Sequence, residues 1–500
     1  MTEVESLIRL YKSIYGSEPA TVTLLAGAGS SRSYYRLMAS GDAVLSDVPP
    51  SVIGTVGTNQ VENRAFIKLA YHFATKGLPI PHVIARSDDD MIYLQDDLGD
   101  KSLYDVIANG RTSGVFTEEE RMGVERAIRM LPHLQMTGAE GLDFSCCFPS
   151  AAMDSRMIRW DLNYFKYSFL RVAGIEVDEV QLENEFDVLF EHLNVRAQHA
   201  TTFMVRDFQS RNVMLGADGQ PYVIDFQGGR RGPVEYDVAS FLWQAKANFD
   251  DAMRAEMILA YISEAKTIDG NFDEDAFQRS LPYFVLFRML QTLGAYGQRG
   301  LTERKAHFMA SIPMALHNLT NYLSNTGLGG EFPYIANVIN AVAHANAIAP
   351  LLQPLALLPF AGLTVMVSSF SYKRGLPVDV SGNGGGYVFD CRAIHNPGRY
   401  DKYKPLTGRD EPVKQFLEND GEILSFLGNV YALVDASVEK YLKRGFTSLS
   451  VSFGCTGGRH RSVYSAEAIA RHIVLNYPNV RVVLHHREQN IFEVKTPDKQ

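Results

Sequence analysis

Val205-Arg206-Asp207-Phe208-Gln209-Ser210-Arg211-Asn212 is followed twelve residues later by Ile224-Asp225-Phe226-Gln227. Short apolar runs flank both pieces: Thr202–Val205, Val213–Leu215 and Tyr222–Ile224 read as strands. Asp207 and Asn212 then stand on a loop between strands, and Asp225 ends the next strand. Moving a phosphoryl group from a nucleotide requires a metal held by a carboxylate and an amide oxygen, with a second carboxylate facing the acceptor hydroxyl. Asn212 and Asp225 meet the first need and Asp207 the second. A lone loop aspartate is ordinarily a solvated surface group; it is the spacing of the three that carries the reading.

Working outward, an opening helix is expected over Val4–Tyr15, then strand, glycine turn and strand over Val22–Leu37. The turn Gly27-Ala28-Gly29-Ser30-Ser31-Arg32 is small enough to lie over nucleotide phosphates, although a glycine hairpin by itself is commonplace. Ala43–Leu45 reads as a third strand, Glu62–Lys76 as a helix, and Val83–Ala85 and Met91–Leu94 as strands before Asp96-Asp97-Leu98-Gly99. From Glu118 helical periodicity takes over, with Ala127, Met130, Leu131 and Leu134 on one face. A β-rich lobe followed by a helical lobe, with polar residues between them, predicts an α+β protein-kinase-like two-lobe fold. Helices run to about Leu323, Asn325–Phe332 is turn chemistry, and Ile335–Ala349 is a connecting helix stopped by Pro350. A new α/β pattern starts at Leu363. The expected organisation is a kinase domain over 1–325, a linker over 326–360, a separate α/β domain over 361–490 and a tail over 491–500.

Bulk properties set the limits. Five hundred residues exceed one hydrophobic core, and 46% hydrophobic with 21% charged residues is ordinary for a soluble globular chain. Ala345–Phe360, the most apolar stretch, holds Gln353 and three prolines and is too short to span a membrane. The acidic start and the four cysteines indicate neither a secretory signal nor a disulfide framework, so a cytoplasmic location is expected. Net charge is +4 over residues 361–500 and −13 over the rest, which permits an anionic partner for the C-terminal part without demanding one.

The N-terminal part resembles the aminoglycoside phosphotransferase and choline-kinase-like superfamily. The closest likeness is to the anomeric kinases for N-acetylmuramate and N-acetylglucosamine of cell-wall recycling. It rests on Leu25–Arg36, Asp47-Val48-Pro49-Pro50, Gln95–Asp100, Arg206–Asn212, Asp225-Phe226-Gln227 and Gly232-Pro233-Val234-Glu235-Tyr236-Asp237. The resemblance implies ATP and Mg²⁺ as cofactors, with Asp207 orienting and deprotonating a sugar hydroxyl and Asn212 and Asp225 binding metal. It also implies Gly27, Gly29, Ser30, Ser31 and Arg32 at the phosphates and Asp96, Asp97 and Leu98 as the hinge near adenine. Asp237 is expected to bond the loop that carries Asp207. Two departures stand out: Val205 replaces the superfamily's histidine, and no lysine lies on Ala43-Val44-Leu45, leaving Arg32 or Arg36 to supply phosphate charge. On the acceptor side Asp161 and Arg288 are candidates for the sugar, whereas Trp160, Tyr164 and Phe165 read as a packed helix face.

At the other end, Gly454-Cys455-Thr456-Gly457-Gly458-Arg459-His460-Arg461-Ser462 lies between an apolar run and a helical pattern. Strand, glycine turn and helix in that order aim backbone N–H groups at one point and make a nest for a phosphate. The wider segment resembles the C-terminal domain of the RNase adapter protein RapZ, through Val365–Pro377, Tyr387–Arg392, Asn396-Pro397, Leu406–Asp410 and Gly454–Tyr464. That resemblance implies a site for a glucosamine-6-phosphate-like ligand on Cys455, Thr456, Gly457, Gly458, Arg459, His460 and Arg461, with Asn396, His486 and Arg487 nearby. It further implies small-RNA binding and a homo-oligomer. The nearly neutral tail Glu493–Gln500 argues against RNA, whose capture depends on many cationic contacts.

The combined expectation is an ATP-dependent kinase of an amino sugar, with a C-terminal domain that reads an amino-sugar phosphate. Three alternatives stay open from sequence: an RNA-binding adaptor with a vestigial kinase domain, a Cys455-x₅-Arg461 phosphatase, and an antibiotic-modifying enzyme with an acidic pocket.

Overall fold

The structure is a computed structural model and describes residues 2–25, 32–40, 48–216, 218–343, 345, 348, 362–377, 386–489 and 491–495. The turn 26–31, with Gly27, Gly29, Ser30 and Ser31, lies outside the described residues, as does the expected strand Ala43–Leu45.

The chain forms two compact units, one of residues 1–164, 178–292 and 317–335, the other of 165–177, 293–316 and 336–500. The first opens with α1 (Glu3–Tyr15), capped by Thr2, and a five-stranded antiparallel sheet. Its strands are β1 (Thr21–Leu24), β2 (Ser33–Met38), β3 (Ser51–Val56), β4 (Val83–Arg86) and β5 (Ile92–Asp96), in the order β1-β2-β3-β5-β4. Helix α2 (Gln60–Thr75) enters between β3 and β4, its N-terminus capped by Asn59. The third strand of this sheet is thus Ser51–Val56, which the sequence reading passed over. It is buried from Val52 to Val56, and at Gly54 an added Cβ would meet Leu7 Cδ2 at 2.6 Å and Leu37 Cδ1 at 2.8 Å. Glycine there lets α1 pass close over the strand. Leu7, Tyr11, Leu37, Val52, Val56 and Leu94 form the core beneath α1.

The helical part of this unit includes α3 (Glu118–Gln135), α4 (Ser155–Tyr164), α5 (Glu179–Gln198), α6 (Glu235–Leu242) and α7 (Glu274–Tyr296). Among them lie two short antiparallel pairs: β6 (Phe203–Met204) with β9 (Arg230–Arg231), and the hairpin of β7 (Val213–Leu215) with β8 (Pro221–Val223). Asn325–Phe332, read as turn chemistry, contains the helical turn Leu328–Glu331. The helix that follows starts at Pro333, its first N–H groups donating to the Glu185 carboxylate (Tyr334, 2.6 Å; Ile335, 2.7 Å).

In the second unit β10 (Thr364–Ser371), β11 (Tyr387–Asp390), β12 (Ser448–Cys455), β13 (Arg481–His486) and β14 (Ile491–Lys495) form a mixed sheet in the order β11-β12-β10-β13-β14. All pairings are parallel except β13 with β14. Val365, Val367, Val451, Phe453, Val482 and Leu484 pack with Ala466, Ile469, Ala470 and Ile473 of α8 (Arg461–Asn476).

Candidate functional sites

The loop before β7 is built on a buried carboxylate. Asp237, at the start of α6, accepts from the N–H groups of Val205 and Arg206 and from Gln135 Nε2, each at 2.8 Å. The bonding expected between Asp237 and the Asp207 loop is therefore present. These bonds hold Arg206 at φ 76°, a left-handed conformation that an arginine adopts only when its surroundings impose it. Val205 is buried and contributes through its backbone N–H, so the missing histidine leaves the loop tied from below. Asn212 Nδ2 donates to the Asp207 carbonyl at 2.8 Å, and the Asn212 carbonyl accepts from Ile224 N at 2.9 Å. That second bond joins the two quoted segments and brings Asp225 beside Asp207.

Asp225 also takes a left-handed conformation (φ 62°), with Phe226 clamped behind it against Phe66 (centroids 4.7 Å apart) and Phe73 (5.6 Å). Its carboxylate accepts a hydrogen bond from Gln227 Nε2 at 2.7 Å. Burial raises its pKa, and the charges of Asp207 and Glu62 push the same way, while Gln227 and Arg32 oppose them. A buried carboxylate held up in this way is one that a cation would stabilise. Asn212, with its Nδ2 spent on the loop, keeps its oxygen for a ligand. Among the described residues no cluster of three His, Cys, Asp or Glu forms a metal site. One carboxylate and one amide oxygen nevertheless suit Mg²⁺, which usually takes few protein ligands and completes its shell with phosphates and water.

The structure brings both sugar candidates to Asp207. Arg288 Nη2 lies 3.5 Å from Asp207 Oδ1, and Asp161 Oδ1 lies 3.7 Å from Arg206 Nη2. Arg288 is held by Ser240 Oγ (3.1 Å), by Gln291 and by the face of Tyr236 (5.3 Å). The sequence reading quoted Arg206 and Tyr236 within its motifs without giving either side chain a role, and it missed Arg230. Arg230 is fully buried, with Nε and Nη2 on the Gly228 carbonyl. Burial lowers its pKa to about 10, with Arg206 pushing the same way.

At the nucleotide side β3 carries no lysine. A buried Arg32 instead donates to Asn63 (3.1 Å) and pairs with Glu62 of α2 (3.3 Å). A cation just before β2 paired to a carboxylate of α2 parallels the pair that protein kinases build with lysine. Arg36 is committed elsewhere: it grips Asp97 through Nε (2.6 Å) and Nη2 (2.9 Å) and reaches Asp100. Asp97 also accepts from Ser51 Oγ and Gly99 N, so its carboxylate shapes the turn after β5. Asp96, the last residue of β5, accepts from His82 N at 2.9 Å, and Asp97 and Leu98 follow the strand.

In the C-terminal unit the glycine turn joins β12 to α8, whose first turn no side chain caps. The basic side chains of the turn bond neighbouring carbonyls, although Arg461 Nε is buried without a partner. Arg461 Nη1 donates to the carbonyls of Arg392 (2.8 Å) and Ile394 (2.7 Å), Arg459 to those of Pro405 and Leu406, and His460 Nε2 lies 2.9 Å from the Tyr403 carbonyl. They lash the 392–408 segment to the turn. Asn396 is drawn in with them: its Oδ1 accepts from Gly398 N, and Gly398 lies against the His460 ring. Arg487 bonds the carbonyls of Ser371 and Gly375, and the buried His486 bonds Ser369 and Glu467. Thr456 and Gly457 are exposed. Gly458 (φ +64°) must be glycine, since a Cβ there would meet Glu488 Cγ at 2.4 Å. Cys455 is buried, its Sγ 3.1 Å from Ser462 Oγ.

Comparison with known proteins agrees with this two-part reading. The family model described as "Phosphotransferase enzyme family" matches residues 21–274, just over half of the chain. The model described as "RapZ C-terminal domain" matches residues 363–490. A "Nucleotide-binding protein" of Acidithiobacillus ferrooxidans is 38% identical over 137 residues, which are 27% of this chain and 44% of that protein. This chain thus spans less than half the length of the curated relative. Two solved structures align with the larger part. One is the streptomycin–ATP–APH(2")-IIa ternary complex, with TM-score 0.42 and 13% identity, covering 63% of this chain and 97% of that one. The other is choline kinase LicA from Streptococcus pneumoniae, with TM-score 0.41 and 10% identity, covering 64% and 100%. No helix among the described residues is long and apolar enough to cross a membrane. The chain belongs to the phosphotransferase enzyme family and carries a RapZ C-terminal domain behind its phosphotransferase domain.

Proposed function

We propose that the protein is an ATP-dependent kinase of an amino sugar of the N-acetylglucosamine or N-acetylmuramate kind, acting at the anomeric hydroxyl. Its domains follow the division 1–325, 326–360, 361–490 and 491–500. The observation that carries the reading is the meeting of Asp207, Asn212 and Asp225 on one bonded loop, with Asp161 and Arg288 beside the carboxylate that faces the acceptor. Asp207 Oδ accepts the acceptor's proton as the acceptor oxygen bonds to the γ-phosphorus and the bond to the ADP leaving oxygen breaks, and Arg288 keeps that carboxylate oriented. Asn212 and Asp225 would hold Mg²⁺, which neutralises charge on the phosphates when bound. Arg32, fixed by Glu62 and Asn63, supports the nucleotide side. The C-terminal domain reads an amino-sugar phosphate through its glycine turn and the uncapped start of α8, and this module adjusts the kinase or a partner.

The test is turnover of N-acetylglucosamine and N-acetylmuramate with ATP·Mg²⁺, with Asp207→Asn as the control. Phosphorylation lost in D207N supports the reading. No transfer to any sugar, together with no ATP-induced rise in Tm, refutes it and favours the adaptor. For the second site, glucosamine-6-phosphate should raise the Tm of the protein and leave that of Gly457→Asp unchanged; equal shifts refute the sensor role. Phosphatase chemistry has little support: Cys455 is buried and Arg461 is engaged by carbonyls. Gly454 has no room for the histidine that precedes the catalytic cysteine in protein tyrosine phosphatases, because a Cβ would meet Tyr372 at 2.4 Å and Phe370 at 2.5 Å.

A further inference from the structure

The acceptor side of Asp207 is walled by guanidinium groups. Arg206, Arg230 and Arg288 all act on Asp161, and all three interact with Tyr236, Asp161 and Asp207 in turn. Facing them are three carboxylates. Asp237 lies beneath, its oxygens already taken by three N–H donors. Asp207 meets Arg288 through Oδ1 at 3.5 Å and also has to face the acceptor hydroxyl during transfer. Asp161 is left as the standing partner, and it meets Arg206 at 3.7 Å, beyond hydrogen-bond distance. Burial raises the pKa of Asp161, while the charges of Arg206, Arg288 and Arg230 oppose that rise, so one carboxylate stands against three guanidinium groups. Arg230 Nη1 is buried with no hydrogen-bond partner. Leaving guanidinium groups so poorly matched inside a protein is costly unless a ligand completes them. A site for polycationic or choline-like acceptors needs the opposite balance, with carboxylates in excess.

From this imbalance we infer that the acceptor carries an anionic group, a carboxylate or a phosphate, which seats between the side chains of Arg206 and Arg288 while Arg230 adds its charge from behind. Both contact arginines reach the surface of the site, with 22% and 11% of their side chains exposed, and guanidinium forks match such oxyanions in two-point contacts. The inference rests on the kinase reading and narrows it: a neutral amino sugar is a poor substrate and an anionic one a good one.

The experiment compares kcat/KM of the full-length protein for N-acetylglucosamine and for N-acetylmuramate, the same sugar bearing a lactyl carboxylate, with N-acetylglucosamine-6-phosphate as the phosphate arm and kanamycin as the cationic arm. The anionic sugars are expected to be favoured roughly ten- to hundredfold, the worth of one or two charge-assisted hydrogen bonds. Arg288→Gln should collapse that preference to within a few-fold, and Arg288→Lys should restore part of it. Whichever anionic arm is faster identifies the oxyanion. Equal or better turnover of N-acetylglucosamine, or a preference for kanamycin, overturns the inference and leaves the kinase reading standing. A failure to phosphorylate any arm would refute the kinase reading itself. If R288Q does not fold, the wild-type ratio alone decides.

Discussion

Asp237→Ala is the most searching perturbation of the catalytic loop. Asp237 has no exposed surface, and its two oxygens receive three hydrogen bonds of 2.8 Å each, two from the backbone that precedes Asp207. Removing the carboxylate strands three buried donors. Each unsatisfied donor costs about 1–3 kcal/mol, and because they share one site the combined loss should be about 3–6 kcal/mol rather than a simple sum. That is a large part of the 5–15 kcal/mol typical of a whole domain. Both tryptophans, Trp160 and Trp243, belong to the first unit, so urea unfolding followed by tryptophan fluorescence reports that unit alone. The variant should unfold at markedly lower urea. Residual folded enzyme should lose kcat far more than it gains KM for ATP, because Arg206 is no longer held left-handed and Asp207 loses its position. Unfolding within 1 kcal/mol of wild type (about the error of a good extrapolation), or unchanged kcat, would show that the loop is organised by something other than Asp237.

Other expectations follow from the same geometry. Burial pushes the Asp237 pKa from 3.8 up to about 6, against the bonds from Gln135, Val205 and Arg206 and the charge of Arg288. A folded-state value above the unfolded one means stability present below pH 4 and lost as pH rises through 6, up to about 3 kcal/mol for a two-unit shift. The unfolding free energy of wild type relative to Asp237→Asn should fall by an amount of that order between pH 4 and 7; a flat difference contradicts the assignment. Arg32→Met should weaken ATP binding about tenfold or more by calorimetry, since Glu62 and Asn63 position Arg32 toward the nucleotide side, and unchanged affinity would place phosphate recognition elsewhere. Gly454→His should destabilise the C-terminal unit by about 1–3 kcal/mol, seen as faster amide exchange in β12, because its Cβ collides with Tyr372 and Phe370. A stable variant that hydrolyses aryl phosphates would revive the phosphatase alternative.

Local chemistry explains how much was legible beforehand. The D-x-x-x-x-N and Asp-Phe segments, the opening helix, the helix after β3 and the alternation of the C-terminal strands are all encoded by neighbours within a few residues, so periodicity and spacing revealed them. The third strand escaped because it is buried from Val52 to Val56 and so lacks alternation, with Gly54 there for the sake of a helix some forty residues upstream. Arg36 looked available for phosphate until the fold placed Asp97 in its grip.

The chain's own order of residues marked Asp207, Asn212 and Asp225 as the candidates for chemistry and showed that two unlike modules share one polypeptide. Only the tertiary structure decided where the arginines go. Arg206, Arg230 and Arg288 come from three separate stretches and gather at one carboxylate, while Arg459 and Arg461, which crowd a phosphate-like turn in sequence, are drawn away by carbonyls more than fifty residues earlier. A long cationic side chain takes whatever acceptor the folded chain brings within about 3 Å, and no local pattern records that distance.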